Sequence, residues 1–122
     1  MKTIILGGPR TGKTTRAQQS RRPVRSLDAL KDLPWSAQSA EGMRWISQGP
    51  DCVIEGTAGE RVLRKWLDQH PGQPLRDVEI VRLTRPVAPQ TPGQQAMQKG
   101  QDTIWAGIKD ELVRRGARLR DG

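Results

Sequence analysis

At 122 residues and 34% hydrophobic content, with no Phe or Tyr, the chain has material for one domain and a modest core of aliphatic side chains and its four tryptophans. A single cysteine excludes an internal disulfide, and the lack of a long apolar run or leader-like start predicts a cytoplasmic protein without a membrane partner. The net charge of +8 suits a polyanionic partner, nucleic acid or a phosphorylated molecule, but equally a solvated face.

Lys2-Thr3-Ile4-Ile5-Leu6 is a β-branched, apolar run that reads as a first strand. Directly after it, Gly7-Gly8-Pro9-Arg10-Thr11-Gly12-Lys13-Thr14 satisfies G-x-x-x-x-G-K-[ST] at every required position. Thr14-Thr15-Arg16-Ala17-Gln18-Gln19 can continue as a helix, so strand, glycine loop and helix follow in the order a phosphate cradle needs. Gly7 and Gly12 open backbone angles closed to other residues, letting successive N–H groups turn onto a phosphate. Lys13 supplies an ammonium for the β- and γ-phosphates, and the Thr14 hydroxyl a ligand for Mg²⁺. The alternative is a glycine turn before a structural helix.

Val24-Arg25-Ser26-Leu27 reads as a second strand closing on Asp28. A helix is expected after Pro34, with Ser36 as cap, Ala40, Met43, Trp45 and Ile46 on its apolar side, and Gly49-Pro50 at its end. Cys52-Val53-Ile54-Glu55 is a short buried strand. Thr57-Ala58-Gly59-Glu60 has capping-box spacing and opens a helix with Val62, Leu63, Trp66 and Leu67 at 3–4 spacing, stopped by His70-Pro71-Gly72. Val78 to Leu83 alternates as a fourth strand, and prolines 86, 89 and 92 mark an irregular segment. Thr91-Pro92-Gly93-Gln94 is a second capping box opening a helix through Met97, Ile104, Trp105, Ile108 and Leu112, with Gly100 and Gly107 as points of bending. Ala117 to Arg120 reads as a last edge strand.

Strands alternating with helices imply a three-layer α/β/α fold on a parallel sheet of four or five strands. Ligands of such sheets bind beyond the carboxyl ends of the strands. That rule brings Gly7, Asp28, Glu55-Gly56-Thr57 and Arg82 to Arg85 to one edge. Glu55 is then a candidate for holding Mg²⁺ or orienting the attacking group, or a hydrated strand end. Asp28 is a candidate proton acceptor or a helix cap. Thr57 is first a cap. Arg85, preferred to Arg82, is a candidate for neutralising charge on a transferring phosphoryl group. Arg10 faces phosphate or water, and Gln94, Gln95 and Lys99 form a small lid or a solvated helix face. At least three of the four tryptophans are expected in packing rather than stacked on a base.

These residues resemble the compact P-loop kinases of the nucleoside, nucleotide and polynucleotide kinase group, and small phage-type ATPases. The specific block is Lys2 to Thr15; Ser26-Leu27-Asp28, Val53 to Thr57 and Leu83-Thr84-Arg85-Pro86 follow in the right order. The resemblance implies strand order 2-3-1-4-5, a nucleoside triphosphate (ATP or GTP) with Mg²⁺ bound by Gly7, Gly8, Pro9, Arg10, Thr11, Gly12, Lys13, Thr14 and Thr15, and Asp28 as base. Lys13, Asp28, Glu55 and Arg85 would form the catalytic set, with Thr14 and Glu55 toward the metal. Such kinases usually carry an arginine-bearing lid; here Gln94 to Gly100 has one lysine and no arginine. An NTPase switch without phosphotransfer, and action on nucleic-acid 5′ ends, are the alternative functions.

Overall fold

The computed structural model describes residues 1–48 and 51–121. Five parallel strands, β1 (Lys2–Gly7), β2 (Val24–Ser26), β3 (Val53–Glu55), β4 (Val78–Leu83) and β5 (Arg118–Asp121), form one sheet in the order β2-β3-β1-β4-β5. The helices between them are α1 (Lys13–Gln19), α2 (Trp35–Ser47), α3 (Gly59–Gln69) and α4 (Pro92–Arg114). The expected fold class and strand order are both present.

Crossover handedness explains the layering. Only the β1-to-β2 connection moves toward the β2 edge of the sheet; the other three move the opposite way. Right-handed crossovers therefore place α1 on one face and α2, α3 and α4 on the other. The core divides accordingly. Ile4, Leu6, Ile54 and Ile80 pack with Trp45, Val62, Leu63, Trp66, Ile108 and Leu112, whereas Ile5, Val53, Val81 and Leu83 form a smaller cluster with Ala17 of α1. Cys52 is buried in the larger cluster.

Several local expectations need correction. Pro34, not Ser36, caps α2, and the buried seam is Ser39, Gly42, Trp45 and Ile46, with Ala40 exposed. The cause is close approach: a Cβ at Gly42 would sit 3.0 Å from both Leu27 Cδ2 and Val62 Cγ1. Small residues thus mark the contact line, which hydrophobicity cannot reveal. Gly49 and Pro50, expected to end α2, lie outside the described residues. Thr57 does not cap α3, whose N-cap is Ala58. Gly100 and Gly107 do not interrupt α4, which runs unbroken from Pro92 to Arg114 and is anchored on the core by Ile104, Ile108 and Leu112; Met97 is exposed rather than apolar seam. The Thr91 capping box forms in full, with Gln94 N–H donating to Thr91 Oγ1 and Thr91 N–H to Gln94 Oε1.

All four tryptophans pack. Trp45 and Trp66 are core residues, while Trp35 and Trp105 lie against the core beneath Arg61 and Arg82 at 3.8 and 5.4 Å. His70 stacks on Trp66 and serves the helix end.

Candidate functional site

The glycine loop leaves β1 at its carboxyl end and turns back into α1 through two left-handed residues, Arg10 (φ 61°) and Gly12 (φ 86°), the latter capping α1. The turn closes on one acceptor. The Gly8 carbonyl receives both the Thr11 hydroxyl at 2.8 Å and the Lys13 ammonium at 2.7 Å. Lys13 is 6% exposed. Burial lowers its pKa, opposed by the nearby carboxylates of Asp28, Glu60 and Glu55. Thr14 and Thr15 stand exposed at the start of α1.

Residues 9–15 line a hollow of ≈ 220 Å³ together with Asp28, Glu55 and Thr57. The structure therefore brings together the loop, Asp28 and Glu55, three groups well apart in sequence. Asp28 lies in a single 3₁₀ turn (Leu27–Leu30) after β2 and does not cap its own helix. Its Oδ1 instead accepts from the Thr57 backbone N–H at 3.2 Å and the Thr57 hydroxyl at 3.1 Å. Each candidate thereby fixes the other. Glu55 ends β3 almost fully buried, and its Oε2 has no hydrogen-bond partner.

Arg85 stands elsewhere. With Thr11, Arg82 and Val87 it lines a second hollow of ≈ 380 Å³ over the β4–β5 edge, adjoining the first through Thr11. Arg82 lines this second hollow but is buried, paired with Asp102 and 3.9 Å from Glu60. Of the lid candidates, Gln95 and Lys99 are exposed, whereas Gln94 accepts from Arg10 Nε at 3.4 Å.

Glu60 carried no functional signal in the sequence, where it read as half of a capping box. It is fully buried, neither carboxylate oxygen has a hydrogen-bond partner, and burial pushes its pKa up to about 7 against the pull of Arg82 and Lys13. A glutamate at the first turn of an amphipathic helix looks like an ordinary helix start; only the fold reveals that it points inward.

The orphaned Glu55 oxygen and the exposed Thr14 hydroxyl fit Mg²⁺, a hard cation that takes oxygen ligands and keeps much of its water. Among the described residues no group of three or more His, Cys, Asp or Glu could hold a metal by itself. A cation here would draw its remaining ligands from phosphate and water.

Part of the basic charge has structural work. Arg22 bonds Thr3 Oγ1 and the Met1 and Cys52 carbonyls, Arg115 bonds the Leu67, His70 and Gln73 carbonyls and Glu111, and Arg120 pairs with Glu79. Among the described residues no helix is long and apolar enough to cross a membrane. No protein-family model and no curated protein matches the chain.

Proposed function

We propose that this chain binds a nucleoside triphosphate with Mg²⁺ in the Gly7–Thr15 loop and transfers the γ-phosphate to a nucleoside, nucleotide or polynucleotide hydroxyl. The observation that carries this reading is the shared hollow of loop residues 9–15, Asp28 and Glu55. The resemblance to compact P-loop kinases points the same way.

Lys13 exchanges the Gly8 carbonyl for phosphate oxygen, a trade of one charged hydrogen bond for a stronger one. Thr14 and Glu55 would hold the metal, Glu55 directly or through water, and Mg²⁺ would supply charge neutralisation for the transferring phosphate. Asp28, oriented by Thr57, accepts the proton of the attacking hydroxyl. The new bond joins that oxygen to the γ-phosphorus, the bond to the β–γ bridging oxygen breaks, and the nucleoside diphosphate leaves. Arg85, in the adjoining hollow, contributes positive charge from the β4 side.

A second reading, a nucleotide-binding switch without transfer, draws support from the glutamines that occupy the place of an arginine lid. γ-Labelled ATP incubated with pooled nucleosides, nucleotides and oligonucleotides separates the two. Label in an acceptor supports the kinase, and acceptor-independent release of phosphate supports the switch. Retention of label in ATP contradicts both enzymatic readings.

A further inference from the structure

Gln94, Gln98 and Gln101 recur at i, i+4 and i+7 and so share one face of α4. That face touches both walls of the candidate site. Gln94 accepts from Arg10 of the loop. Gln98 accepts from Gln90 Nε2 at 2.6 Å and donates to the Thr84 carbonyl at 3.2 Å, while Gln90 also donates to the Pro9 carbonyl at 2.6 Å. Gln101 donates to the carbonyl of Thr57, the residue that holds Asp28. The fit at Gly8 is tight: a Cβ there would lie 2.5 Å from Gln98 Oε1 and 2.7 Å from Gln98 Cβ. Gly8 therefore serves close approach of α4 to the loop. The backbone joins in, with Val87 N–H donating to the Arg10 carbonyl at 2.7 Å.

We infer that Gln98 and Gln101, with Gln90, are positioning residues: a polar seam of α4 that holds the phosphate loop and the Asp28–Thr57 turn in fixed relation. The inference rests on the nucleotide-binding reading for its functional consequence. Its structural content stands separately. The seam braces the loop from outside and so differs from a lid that reaches over the ligand.

The test compares the parent with Gln98→Met, which keeps the stem but removes both hydrogen bonds, and with Gln90→Met, on the irregular segment, should the first variant fold poorly. In the free protein, amide exchange of Val87 and Arg16, whose N–H groups bond the loop carbonyls of Arg10 and Gly12, is expected to quicken by about tenfold while β1 and β4 keep their protection. Mg-ATP affinity is expected to fall by roughly fivefold in either single variant, and the double variant is expected to fall further but by less than the product, because the two share one bond and each also loses one of its own. Unchanged exchange at these two amides overturns the inference, as does a uniform rise across the sheet, which would make Gln98 mere core support. A loosened loop with unaltered affinity for Mg-ATP overturns its functional part. If the parent itself binds no Mg-ATP, the nucleotide reading fails, and exchange at the two amides alone still decides whether the seam holds the loop.

Discussion

Lys13 donates its ammonium to the Gly8 carbonyl, closing the loop on itself with a buried cation at 2.7 Å. The free state thus stores the group that a polyphosphate needs, with its desolvation already accomplished by the fold. On the proposed reading, phosphate binding would replace one neutral acceptor with an anionic one, so the lysine would gain strength without a new cost of burial.

Lys13→Met follows from this. Methionine fills the stem's space and removes a desolvated charge, so thermal stability is expected to stay within a few degrees of the parent. Mg-ATP affinity is expected to drop by about 10- to 100-fold, the range for a hydrogen bond to a charged group. Parallel melting and titration curves check both halves.

Asp28→Asn separates binding from chemistry. Asparagine retains an oxygen for the two Thr57 donors, so the turn and Mg-ATP affinity are expected to persist. It cannot take up a proton, so transfer to an acceptor hydroxyl is expected to slow by about 10² to 10⁴. Initial rates at saturating ATP give the comparison.

Glu60 makes stability depend on pH in an unusual direction. The folded carboxyl holds its proton to about pH 7, against an ordinary 4.5, so between those values the folded state binds more protons. Its contribution is complete below the unfolded value and is lost as pH rises through the folded one. The charges facing it are Arg82, Lys13 and Asp102. Glu60→Gln removes the dependence, so the variant's melting temperature is expected to gain on the parent's from pH 4.5 to 7.5. The free-energy range is on the order of 3 kcal/mol. A difference that stays flat across that range contradicts the assignment.

Gly56→Ala probes the hinge between β3 and Thr57. Gly56 has φ 147°, and a Cβ there would meet Leu27 Cβ at 2.7 Å. The substitution is expected to cost about 2 kcal/mol in stability and to displace Thr57 from Asp28. Chemical denaturation measures the first effect. Transfer rates, falling more than Mg-ATP affinity, report the second.

The elements that sequence made legible are those where one signal dominates. The bounds of the Val78 to Leu83 strand and the Thr91–Gln94 capping box each match the structure residue for residue, although the strand, central in the sheet, is buried on both faces rather than alternating. The edge rule for parallel sheets gathered Asp28 and Glu55 beside the loop, because strand ends follow from topology alone. What stayed hidden depends on tertiary approach. Gly42 reads as a weak helix residue, yet it is the point where α2 meets Leu27 and Val62. Thr57 looked like a cap for its own helix, but α3 begins one residue later at an Ala58 cap, and the Thr57 hydroxyl donates to Asp28, a long way back in the chain. Gln98 and Gln101 carried no signal of their own, because polar periodicity does not say whether the partner is water or a backbone carbonyl. Arg85 reached the right edge but a different hollow, since a strand end fixes position along the strand and not across the sheet.

The most direct test of the central claim is backbone amide NMR of the parent during titration with Mg-ATP. The account expects saturable shifts largest at Gly8 and Arg10 to Thr15, extending to Glu55 and Thr57, and their disappearance in Lys13→Ala. Shifts absent from that loop at millimolar Mg-ATP, or unaltered by Lys13→Ala, would contradict it.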